Sequence, residues 1–188
     1  MKAFRSFIPP LAAMLLAASG GASAQGVLID RSEIRFVSKQ LGVNVEGSFR
    51  KWKANVDFRP RDLAHSSAEL EVELASIDLA SEESEREVRR PQWFDTGKFP
   101  VARFASTAVS DLGGDRFEIA GRLSLKGVTR DVTVPVALTR DGNGNTVATG
   151  QFVLKRLAFK VGEGMWADTA TVADDVVVRL RMVLPAVS

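Results

Sequence analysis

The chain has no cysteine, no tyrosine and a single histidine, His65. Without cysteine there is no disulfide, no thiolate metal ligand, no Cys–His nucleophile and no N-terminal cysteine to carry a lipid. One histidine in a polar stretch gives Ser–His catalysis no recognisable base, and no G-x-S-x-G motif occurs. A metal site would have to be built from carboxylates around His65, and no ligand-like spacing surrounds it. His65 therefore reads as a surface turn residue. No catalytic residue and no metal ligand is assigned.

Long apolar runs are equally scarce. The first 24 residues carry Lys2 and Arg5, then an apolar stretch over 7–18, then Ala22-Ser23-Ala24 before Gln25. That order is expected of a cleaved signal peptide over 1–24. The stretch is too short for a membrane span and contains Pro9 and Pro10, and no other run approaches ~20 apolar residues. Residues 25–188 are long enough for one domain whose core needs no disulfide support. Removing Lys2 and Arg5 from the 25 basic residues leaves 23, matching the 23 acidic ones. A formally neutral domain with scattered cations makes nucleic acid a poor expectation as partner.

What the sequence does contain is alternation. Ala68, Leu70, Val72 and Leu74 alternate with Glu69, Glu71 and Glu73; Phe117, Ile119, Leu123 and Leu125 alternate with Glu118, Arg122 and Ser124. Strand patterns fall at 33–38, 43–49, 53–58, 68–75, 101–109, 116–125, 128–138, 146–156 and 175–184. A period of two gives each strand one apolar and one wet face. Gly113-Gly114, Lys126-Gly127 and Asp141-Gly142-Asn143-Gly144-Asn145 supply turns, and most links are too short for crossover helices. The expectation is an all-β fold: an antiparallel barrel of about eight strands, with Pro135 marking an edge or bulge. Phe36, Val45, Phe49, Val56, Leu70, Val72, Leu123, Val134, Leu154, Val178 and Leu180 should point inward.

One short helix is expected over 84–90, with Ser84 and Glu87 as a capping box, acids early, arginines late and Pro91 after it. Its polarity makes it a solvated connector covering one side or end of the barrel. Two motif matches are empty. The 141–145 run opens like a calcium loop, but Thr146 stands where that loop needs glycine and Phe152 where it needs glutamate. Residues 162–167 match G-x-G-x-x-A without a following helix to bind phosphate. A transmembrane barrel also alternates; the missing tyrosine girdle and the charged helix insert argue against it. Trp52, Trp93, Phe94, Phe99, Phe104, Phe159 and Trp166 fall at strand ends or in connections. They either plug a filled core or line an apolar cavity, and periodicity does not separate the two.

Four segments together resemble the YceI-like family of periplasmic, lipocalin-like barrels: SEIRFVSKQLGVNVEGSF (32–49), PQWFDTGKFPVARF (91–104), GRLSLKGVTRDVTVPV (121–136) and FVLKRLAFKVGEGMWADTATVADDVVVRLRMVL (152–184). The third is similar to the family's Gly-Val-Thr hairpin and the fourth to its Arg-x-x-Phe-x-(Ile/Val)-Gly ending. Arg31-Ser32 and Lys126 stand where many members have histidines, so roles of those histidines do not carry over. The resemblance implies that 25–188 is a lipid-binding lipocalin-like barrel in the periplasm, holding a polyisoprenoid chain such as a quinone tail or polyprenyl lipid. It also implies a link to membrane b-type cytochromes. A homodimer stays open. The candidate ligand-binding residues are Phe36, Phe49, Trp52, Leu70, Trp93, Phe94, Phe99, Phe104, Leu123, Leu154, Arg156, Phe159 and Trp166. Arg156 is the candidate for the head group, with a structural ion pair as the competing reading. No cofactor is expected beyond a bound polyisoprenoid or ubiquinone-type lipid as ligand. The competing functions are an enzyme acting on such a lipid and an accessory module that meets a membrane cytochrome.

Overall fold

Alternating side chains need a partner on one face only, and hairpin links let consecutive strands supply it. The computed structural model describes residues 25–186, so the signal-peptide expectation for 1–24 lies outside the described residues. Within them the strands are β1 (Gln25–Gly26), β2 (Glu33–Gln40), β3 (Val43–Phe49), β4 (Trp52–Asp57), β5 (Ser67–Glu73), β6 (Ile77–Asp78), β7 (Val101–Asp111), β8 (Arg116–Leu125), β9 (Val128–Arg140), β10 (Thr146–Lys155) and β11 (Asp175–Leu184). The helix α1 spans Glu82–Val88. All pairings are antiparallel.

The hydrogen-bonded order is β1-β4-β5-β7-β8-β9-β10-β11-β2-β3-β6. Its two ends meet because β3 and β4 are one bent strand, interrupted only at Arg50 and Lys51. On one side β2 pairs with β3 and β1 with β4; on the other β6 pairs with β3 and β5 with β4. Merging β1 with β2, β3 with β4 and β5 with β6, and adding β7 to β11, gives eight staves of a closed barrel. Backbone bonds stitch the bends: Arg50 N–H donates to the Ser76 carbonyl (3.0 Å) and Leu28 N–H to that of Val183 (2.8 Å). Pro135 stands where the β9–β10 ladder, Val136 to Arg140, ends; there a missing N–H removes no cross-strand bond to β10.

All eleven residues expected to point inward line the barrel interior. Leu74, Phe159, Ile34, Val161 and Leu125 belong to one buried core cluster. Two glycines make room for rings. Phe36 lies across its cross-strand partner Gly47, and Phe104 lies across Gly121. A Cβ at Gly121 would also stand 2.6 Å from the Ala105 carbonyl oxygen.

The helix differs from the sequence expectation at its start. Ser81, not Ser84, is the N-cap, accepting from the Ser84 N–H at 3.2 Å. The extended backbone at Ser81 lets its hydroxyl turn onto the first turn, and Ser84 is already helical. Glu85 departs from the expected solvation: it is 9% exposed. The Arg50 guanidinium, then the Leu79 N–H, hold its carboxyl below the usual carboxylate range. The 141–145 run is a hairpin turn. Asp141 Oδ1 accepts from the Asn143 and Asn145 N–H groups, both at 2.9 Å, while Oδ2 takes Arg31 at 2.7 Å. His65 sits on the surface, 2.8 Å from Asp62.

Gly121→Ala should destabilise the fold by about 1–3 kcal/mol in urea unfolding, since the clash involves backbone as well as ring. Asp141 titrates at about 2, held down first by the Asn145 side chain. A carboxyl depressed in the folded state stabilises fully above its unfolded value and loses that contribution as pH falls towards 2. Asp141→Asn should therefore flatten the acid limb of a stability profile measured between pH 5 and 2.

Candidate ligand cavity

Because the staves curl and their inner positions are apolar, the barrel encloses a cavity of about 400 Å³. Its wall includes Ile34, Phe36, Val45, Phe49, Val56, Leu70, Phe104, Leu123, Val134, Phe152, Leu154, Val178 and Met182. At one end it is bounded by α1 (Ser84, Glu87, Val88), by Trp93, Phe94 and Trp166, and by Val172. Ser38 and Gln40, on the inner face of β2, add polar groups at this helix end.

Of the thirteen candidate ligand-binding residues, Phe36, Phe49, Leu70, Trp93, Phe94, Phe104, Leu123, Leu154, Arg156 and Trp166 line the cavity. Trp52, Phe99 and Phe159 do not. Trp52 faces its cross-strand partner Val72 and packs on the buried core. Phe99 turns to the β8–β9 hairpin, where its ring meets Gly127 and lies 5.3 Å under the Lys98 ammonium. Phe159 is buried in the core. These three positions were assigned from aromatic content at strand ends, which does not say which way a side chain turns.

Arg156 overturns both expectations for it. It is 2% exposed, and all five guanidinium N–H groups are spent on backbone carbonyls. Nε donates to Ala173 (3.0 Å), Nη1 to Val161 (3.0 Å) and Gly162 (2.8 Å), and Nη2 to Trp166 and Val172 (2.7 Å each). No donor is left for a head group, and no carboxylate pairs with it. Burial pulls its pKa below the ordinary guanidinium value, with Asp174 opposing. The Trp93 ring lies 5.8 Å from the guanidinium and 5.5 Å from that of Trp166. Gly162, at φ +78°, has no room for a side chain because a Cβ would run into Arg156. One cation thus fastens the 156–173 loop as the end wall. Lys126 does similar work nearby: its buried ammonium meets the Lys160 carbonyl (2.6 Å) and Glu163 (3.0 Å).

Sequence reading missed Ser38, Gln40, Ser84, Glu87 and Val88 as lining residues. The signals were present: Ser38 and Gln40 continue the inward alternation of Ile34 and Phe36, and Ser84, Glu87 and Val88 share a helix face at i, i+3, i+4. Among the described residues no group of three His, Cys, Asp or Glu stands close enough to hold a metal ion.

The YceI-like domain profile matches residues 27–184, which is nearly the whole barrel. The chain belongs to the YceI-like family. As a YceI-like chain it is 29% identical over 136 residues to a UPF0312 protein of Vibrio parahaemolyticus, covering 70% of this chain and 72% of that one. It is 31% identical over 132 residues to a UPF0312 protein of Azotobacter vinelandii, covering 68% and 69%. The crystal structure of Burkholderia cenocepacia BcnA shares the fold at TM-score 0.80 and 38% identity, over 84% of this chain and 98% of that one. A polyisoprenoid-binding domain from Saccharophagus degradans has the same fold at TM-score 0.69 and 16% identity, over 87% and 99%.

Arg156→Met should leave five carbonyls short of a donor and cost at least about 3 kcal/mol. Arg156→Lys, with three donors and no planar fork, should recover only part of that. Chemical denaturation, with limited proteolysis mapped to 157–173, reads both effects.

Proposed function

We propose that this protein binds and carries an isoprenoid lipid, a quinone or polyprenyl chain, in the periplasm without covalent chemistry. The observation that carries the reading is the apolar cavity running through a closed barrel. A long tail in water costs ~0.8 kcal/mol per CH₂, so an apolar tunnel binds it strongly and with tolerance for its chemistry. The polyisoprenoid-binding domain built on the same barrel supports the choice of ligand. The signal-like 1–24 segment supports export. Binding is favoured over catalysis because the buried guanidinium is committed to carbonyls and Glu87 is held by Arg90 at 2.9 Å, so neither is poised for proton transfer. Exchange of a bound quinone with a membrane b-type cytochrome belongs to the same reading.

The protein should be purified from a periplasmic fraction without detergent and its solvent extract analysed by mass spectrometry. About one isoprenoid lipid per chain is expected. Ala148→Trp, which fills the cavity from β10, should retain the strand signal in circular dichroism and lose most of the lipid. Equal lipid content in wild type and variant would overturn the cavity as the binding site.

A further inference from the structure

We propose that the helix end of the barrel docks onto a phospholipid bilayer through Leu41, Val43 and Met165. Among the described residues these are the most exposed large hydrophobics, at 73%, 67% and 82%. They lie at one end of the barrel. Leu41 N–H donates to the Thr171 carbonyl at 2.8 Å and Gln40 pairs with Val172. The Val172 and Trp166 carbonyls accept from the same Arg156 nitrogen, which holds the segment carrying Met165 at the same end of the barrel as the hairpin tip.

Leu41 is a poor residue for its place. It and Gly42 form a two-residue hairpin turn with φ +49° and +82°, where asparagine, aspartate or glycine is preferred. A leucine there bears left-handed strain and buries nothing. Folding gives no reason for it; contact outside the chain does. Val43 continues the inner face set by Phe36–Gly47, Ser38–Val45 and Gln40–Val43, so it extends the cavity wall past the rim. Trp166 carries that wall on the other side.

This continuity decides the occupant. An apolar rim that borders an apolar cavity fits a bilayer, whose acyl tails share the chemistry of both. Lys39, exposed beside Leu41, offers an ammonium to lipid phosphate. The carboxylates of the adjoining loop are already engaged, Glu163 with Lys126 and Asp168 with Thr171. The purpose of the docking rests on the carrier reading, but its geometry does not.

The test is flotation of the 25–188 protein with vesicles of phosphatidylethanolamine and phosphatidylglycerol, alongside uptake of ubiquinone from a vesicle-free dispersion. Wild type should float, and Leu41→Ser/Val43→Ser/Met165→Ser should reduce the bound fraction at least tenfold. Vesicle-free uptake by Leu41→Ser/Met165→Ser, which leaves Val43 in place, should match wild type. Leu41→Asn alone should weaken flotation and leave the melting temperature equal or higher. Vesicle binding unchanged in the triple variant would overturn the proposal. So would loss of a concentration-dependent dimer in sedimentation with no vesicle binding by wild type, since the rim would then meet a second copy. Flotation by a wild type that takes up no ubiquinone would uphold docking and sink the carrier reading.

Discussion

Hydrogen bonds along the bent strand β3–β4 turn an open sheet into a cylinder. Each half of that strand needs two neighbours, and the segments before and after it supply them because they bend at matching places. Closure removes the free edges that an antiparallel meander would otherwise expose. A register slip of one residue in β5 would bring Glu69, Glu71 or Glu73 inside, so the alternation enforces the register there.

A closed barrel with mixed inner side chains can be solid or hollow. Here the residues facing the axis include Ala54, Ala68, Ala102, Ala148 and Gly150 among the larger aliphatics and rings. Ala54, Ala68 and Ala148 carry only a methyl group at their places on the cavity wall. Apolar surface lining such a cavity is unfavourable when it faces water. Occupancy by an apolar ligand offsets the cost, which links ligand binding to folding stability.

The helix end is built differently from the wall. Strand ladders hold the staves, but the 156–173 loop has few ladder bonds of its own and depends on the Arg156 guanidinium. The Arg-x-x-Phe-x-Val-Gly spacing is intelligible on these terms. The arginine supplies donors, Phe159 and Val161 bury, and Gly162 yields the space that the guanidinium occupies. The same loop carries Met165 and Trp166 to the rim, so one buried cation positions both the closed wall and its exposed lip.

The sequence by itself determined the nine longer strands, their antiparallel pairing and the inward set, because a period of two writes the buried face directly into the residues; the two-residue strands β1 and β6 are too short to show a period. It also determined the hairpin turns at Lys126-Gly127 and Asp141–Asn145, where local chemistry suffices. Tertiary structure decided the rest. Whether Phe99 and Phe159 face the cavity depends on neighbours distant in sequence, Gly127 and the core around Leu74. Arg156 has the same composition as an arginine at a lipid head group. Only the convergence of five carbonyls from three turns of a loop makes it a fastener. Whether the barrel is hollow is likewise a sum over eight staves, which no local pattern contains.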